Sequence, residues 1–127
     1  MNYRGTLIVV RDCQKAFEFY RDMFGFTLIR DNDGNMELSD NVYLQEVKYW
    51  EEFTGRSVVM KNNGSELYFE ESNIEAFIDK LERLYPETEY VNRLMTHSWG
   101  QRVVRLTARS VPAYKTMITG RRKAANI

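Results

Sequence analysis

The sequence predicts an α+β fold made of two modules, each running strand, helix, strand, strand, strand. Three observations predict it. Short runs such as Leu7-Ile8-Val9-Val10, and Glu66 to Glu70 with its alternating Leu67 and Phe69, read as strands. Residues 14–24 and 74–84 carry apolar side chains at helical spacing. The opening strand–helix pattern also recurs at an offset of sixty residues, pairing Leu7 with Leu67, Val9 with Phe69, and Ala16-Phe17 with Ala76-Phe77. Because the order of elements repeats along with the residues, a duplicated supersecondary unit explains the recurrence better than chance does.

The elements follow in order. Asp12 is suited to cap the first helix, Gln14 to Phe24, whose stripe is Ala16, Phe17, Tyr20, Met23 and Phe24. Gly25 ends it, because glycine takes positive φ without steric cost. Phe26 to Ile29 resumes as strand, and Asp31-Asn32-Asp33-Gly34-Asn35 reads as a hairpin turn. Met36 to Ser39 and Val42 to Val47 are the next strands. Lys48 to Phe53 bridges the halves, either as a short helix over a cavity mouth or as a linker anchored by its aromatic residues. In the second module Ser72 or Asn73 caps a helix with Ile74, Phe77, Ile78, Leu81 and Leu84 on its apolar face, and Pro86 lies just beyond. Glu89 to Val91 and Gln101 to Thr107 read as strands. Val111 to Ile118 is expected to close the module, with Pro112 making it weak or an edge.

The chain has 127 residues, which suits one domain: module one at about 4–48, a linker at 49–63, module two at about 64–118 and a basic tail at 119–127. With 43% hydrophobic residues it can build a core. Lys+Arg and Asp+Glu are 18 each, and this balance argues against a nucleic-acid module, which carries a basic excess. Cys13 is the one cysteine, so no internal disulfide forms and a cytoplasmic location is expected. No apolar run is long enough for a membrane span, and no targeting segment is visible. Thr107 to Ile127 holds five Lys or Arg and no acid, which reads as a solvated tail.

Candidate functional residues are few. Glu66, Tyr68 and Glu70 share one strand face, lining a cavity or facing solvent. Arg102 and Arg105 fall on opposite faces of one strand, and either one could bind an anionic group. Trp50, Phe53, Tyr68 and Trp99 could wall a pocket for a planar ligand, or be core. His97, the only histidine, is a general base at a cavity rim or an exposed loop residue. Cys13 sits where a helix start can stabilise a thiolate, but no Cys-His signature accompanies it, and packing explains it as well. No phosphate loop, Cys-x-x-Cys pair or Ser-His-Asp arrangement is present.

Three segments carry a family resemblance. Thr6 to Asp12 running into Ala16-Phe17-Glu18-Phe19-Tyr20-Arg21-Asp22-Met23-Phe24-Gly25-Phe26 resembles the opening of vicinal-oxygen-chelate proteins, the superfamily of glyoxalase I, bleomycin-resistance proteins and extradiol dioxygenases. Ser65 to Glu70 with Ile74-Glu75-Ala76-Phe77 resembles the start of their second module, and Trp99 to Arg105 the segment before their last hairpin. The resemblance implies two βαβββ modules forming a curved mixed sheet around a ligand cavity, with the helices outside, and commonly a homodimer. It also implies four inward positions that hold a divalent ion in metal-dependent members. Carried over, these fall on Gly5, Gln45, Glu66 and Lys115. A glycine and a lysine make a poor donor set, so neither metal nor other cofactor is expected, and a Glu66–Lys115 ion pair is expected to stand in for the ion. The expected function is metal-independent binding or sequestering of a small molecule, with Gln45, Trp50, Glu66, Tyr68, Trp99 and Arg105 as ligand-binding residues. The alternative is a glyoxalase-like lyase or isomerase using a divalent metal. Neither nucleic acid nor a membrane is an expected partner.

Overall fold

The computed structural model describes residues 1–60, 64–108 and 115–120, with Lys115 and Met117 described at the backbone alone. The chain divides into two compact units, one containing the first four strands and the other the last four.

The first unit runs β1 (Thr6–Val10), α1 (Cys13–Phe24), β2 (Leu28–Asp31), β3 (Asn35–Leu38), a 3-10 turn (Ser39–Asn41), β4 (Val42–Glu46) and α2 (Val47–Thr54). The sheet order is β1-β4-β3-β2, with β1 and β4 parallel and the other pairs antiparallel. Strand alternation puts Ile8, Val10, Met36, Leu38, Val42 and Leu44 on one buried face, and α1 contributes Ala16, Phe19, Tyr20 and Met23 to the same core. Burying each large aliphatic or aromatic side chain there contributes roughly 1.5–3 kcal/mol. Asp12 caps α1 by accepting from the Lys15 N–H at 3.0 Å, and Glu46 at the end of β4 accepts from the Cys13 N–H at 3.1 Å. Gly25 ends α1 in the left-handed region at φ 72°. Phe26 is a buried anchor stacked on Tyr20, with ring centroids 5.5 Å apart, so β2 starts at Leu28 rather than at Phe26 as expected. The bridging segment is a helix, α2, which follows β4 directly.

The second unit runs β5 (Glu66–Glu71), α3 (Ile74–Leu84), β6 (Glu89–Thr96), β7 (Arg102–Thr107) and β8 (Lys115–Gly120), in the sheet order β5-β8-β7-β6. Asn73, rather than Ser72, caps α3 by accepting from the Ala76 N–H at 3.1 Å. Ile74, Phe77 and Leu81 are buried, as are Val104, Leu106 and Ile118 on the sheet. β6 extends five residues past the expected end at Val91. The closing strand corrects an expectation: β8 is no edge but lies inside the sheet between β5 and β7. Pro112 precedes Lys115, so β8 contains no proline and keeps its ladder donors; Pro112 itself lies outside the described residues.

Both units thread their sheets in the same order, but the structural offset is sixty-one residues. The caps Asp12 and Asn73 correspond, as do the buried pairs Cys13 with Ile74, Ala16 with Phe77, and Tyr20 with Leu81. The sixty-residue pairing fails because Leu7 lies on the face away from α1, whereas Leu67 pairs with buried Thr116 on the face that α3 covers. A one-residue slip exchanges the two faces of a strand. Among the described residues no helix is long and apolar enough to cross a membrane.

Candidate functional site

In the first unit, Gln45 projects from β4 on the sheet face away from α1. It is 6% exposed, and Val9 and Asn35 are its neighbours across the ladder. Trp50, on α2, is half-buried. Phe53 is 70% exposed, stacked against Tyr49, and is not part of the core. Gly5 precedes β1 with φ 127°, and a Cβ there would fall against the Asn41 backbone carbonyl. The position therefore excludes any side chain, let alone a metal ligand. Val9 is the ladder partner of Gln45, so Gly5 lies four residues, about 13 Å, down the strand from it.

In the second unit, one face of β5, β8 and β7 collects the remaining candidates. The Glu66 carboxylate lies 3.4 Å from Arg105 Nε, with the two side chains 26% and 25% exposed. Arg105 Nη1 also donates to Asn92 Oδ1 on β6 at 3.0 Å. Arg102, on the opposite face as expected, pairs with Glu75 of α3. Lys115 is the backbone ladder partner of Glu66, but its side chain lies outside the described residues, so the expected Glu66–Lys115 ion pair does too. Arg105 is a cation that reaches Glu66. By the sixty-one-residue repeat, Val9 opposite Gln45 corresponds to Glu70 opposite Thr119. The counterpart of Gln45 is thus Thr119, not Lys115.

At the other end of this face, Tyr68 and Trp99 are exposed rather than enclosed. Trp99 stacks on His97 at 4.2 Å between ring centroids and donates its indole N–H to Gln101 Oε1 at 2.9 Å. Gln101 Nε2 donates to the Tyr68 hydroxyl at 2.8 Å and to Thr119 Oγ1 at 3.1 Å. Gln101, Thr119 and Asn92 were not among the expected site residues. Gln101 had only its position two after Trp99 to signal it, and nothing local marks the partners that strand pairing brings to it. His97 has the indole as its neighbour, and among the described residues no carboxylate is hydrogen-bonded to it, so no orienting group there prepares it as a general base.

On the α3 side of the same sheet a separate open groove of about 290 Å³ is lined by Glu75, Asp79, Glu82 and Arg93 over Ile78, Tyr90 and Leu94. It shares no residue with the Tyr68 face. Cys13 is buried, and burial, reinforced by the Glu46, Asp12 and Asp31 carboxylates, pushes its thiol up to about 12. It is a packed residue and not a nucleophile.

A glyoxalase-like domain model matches residues 3–110. The chain belongs to the glyoxalase-like domain family. Among solved structures, a protein of unknown function from Agrobacterium tumefaciens is similar with a TM-score of 0.75 and 21% identity, covering 96% of this chain and 95% of its own. A hypothetical protein from S. aureus gives 0.77 and 15%, covering 95% of each chain. A glyoxalase/bleomycin resistance protein/dioxygenase from Nocardioides gives 0.67 and 15%, covering 99% of this chain and 87% of its own. At these identities the likeness establishes the fold. No curated protein matches.

The divalent ion implied by the superfamily does not fit the four carried-over positions. Gly5 admits no donor, the Glu66 carboxylate is held by Arg105, and Lys115 is no ligand for a cation. Among the described residues no three His, Cys, Asp or Glu side chains gather as a metal site.

Proposed function

We propose that this glyoxalase-like protein binds or sequesters a small molecule without a metal, on the face formed by Glu66, Tyr68, Trp99 and Arg105. The observation that carries the reading is the Glu66–Arg105 contact. A guanidinium occupies the carboxylate that would otherwise help hold a divalent ion, and brings fixed hydrogen-bond donors to the same face. Exposed Trp99 and Tyr68 offer aromatic surface to a flat ligand. Gln45 and Trp50 are proposed as ligand contacts of the first unit on the strength of the resemblance. The exposed edge strand β2, with Ile29 59% exposed, favours pairing with a second copy, so a homodimer in the cytoplasm is part of the proposal.

The test is elemental analysis and native mass spectrometry of protein purified from cells without added metal. A retained small molecule without stoichiometric metal is expected. Near-stoichiometric nickel, zinc or iron that disappears in Glu66→Ala would replace this reading with that of a metal-dependent lyase or isomerase.

A further inference from the structure

The hydrogen bonds around Gln101 run in one direction, and that direction has a consequence for the ligand. The Trp99 indole N–H can only donate, so the group facing it at 2.9 Å must be the Gln101 carbonyl oxygen. The amide nitrogen then faces Tyr68 and Thr119, at 2.8 and 3.1 Å. An amide N–H₂ has two protons and no acceptor capacity, so both hydroxyls accept from it. The opposite amide orientation would set two donors against each other at Trp99. Thr119 passes its own proton to the Arg102 carbonyl at 3.1 Å. Tyr68 accepts from Gln101, and no described group accepts its proton. The ring is 55% exposed beside Trp99, itself 67% exposed, so the phenolic O–H is offered outward next to an aromatic surface.

We propose that Gln101 is a positioning residue that fixes Tyr68 as a hydrogen-bond donor, so that this face selects flat aromatic ligands presenting an acceptor atom. The proposal rests on the small-molecule-binding reading above and adds the polarity of the ligand. Trp99 contributes the surface against which the ring lies. Gln101 does not touch the ligand; it acts by determining which way the Tyr68 proton points.

Two neutral bicyclic probes isolate this effect. Quinoline has a ring nitrogen that only accepts, and indole has an N–H that only donates. Each is titrated into ¹⁵N-labelled protein near pH 7.5, following the indole signals of Trp50 and Trp99. Quinoline is expected to bind about three- to tenfold more tightly, the worth of one neutral hydrogen bond. In Gln101→Glu the carboxylate accepts from both the Trp99 N–H and the Tyr68 O–H. The Tyr68 oxygen then faces outward as an acceptor, and the preference should reverse toward indole. Tyr68→Phe, a mild change at an exposed ring, should close the gap between the probes. A role for Gln101 in packing alone would weaken both probes together and reverse nothing. Equal affinities in the native protein, a preference for indole, a gap unmoved by Gln101→Glu, or no binding of either probe at millimolar concentration would each overturn the proposal. A small molecule retained through purification would in those cases still support the broader binding reading, so the two failures are distinguishable.

Discussion

Glu66 and Arg105 meet at 3.4 Å although β8 runs between their strands. Their ladder partners on β8 are Lys115 and Met117, so the contact is diagonal and ties one row of the sheet to the next. Arg105 also reaches Asn92, so one guanidinium joins β5, β7 and β6.

Arg105→Met should therefore cost about 1–3 kcal/mol in urea denaturation, because it takes a guanidinium away from a part-buried carboxylate and removes the donor that reaches the Asn92 carbonyl. The partial exposure of both groups keeps the cost below that of a fully buried pair. Adding Glu66→Gln should recover part of the loss. A double variant no more stable than the single one would count against the pairing.

Gly5→His should not rebuild a metal site. Its Cβ would strike the Asn41 carbonyl, and its backbone lies where only glycine is comfortable. The variant should lose at least about 2 kcal/mol and bind nickel or zinc no better than the parent, as measured by thermal melts with and without metal. A melt raised by stoichiometric metal would refute the assignment.

Stability should fall as pH rises from about 9 to 12. Burial, with the nearby Glu46, Asp12 and Asp31 carboxylates, raises Cys13 from 9.0 to about 12. Burial, then the hydrogen bond to Glu82, raises Tyr90 from 10.0 to about 12. Both groups keep their protons longer in the folded chain, so the unfolded chain deprotonates first and is favoured across that window. The stabilisation is complete below the unfolded values. Cys13→Ala with Tyr90→Phe should flatten the alkaline limb of a pH–stability profile; an unchanged slope would contradict these shifts.

Asn73→Ala should destabilise by about 1 kcal/mol, the usual worth of a helix N-cap, while Ser72→Ala should change little. Equal losses at both positions would mean that the cap is shared.

The sequence by itself determined what is encoded locally. The order of strands and helices, the Asp12 cap, the Gly25 stop and the two-module plan were all legible, because capping, periodicity and left-handed φ depend on residues a few positions apart. The opening motif marked the family for the same reason, and it also exposed the missing donor at Gly5. Tertiary structure alone decided the register and the site. Whether Leu67 or Tyr68 faces the helix turns on a single residue of offset, since strand faces alternate with period two. β8 became an interior strand because it pairs not only with β7, which directly precedes it, but also with β5, from a distant part of the chain. Glu66 found Arg105, and Gln101 found Tyr68 and Thr119, through strand pairings that bring together residues 18 to 39 positions apart. No local spacing records such contacts, because they exist only once the ladder has been laid down.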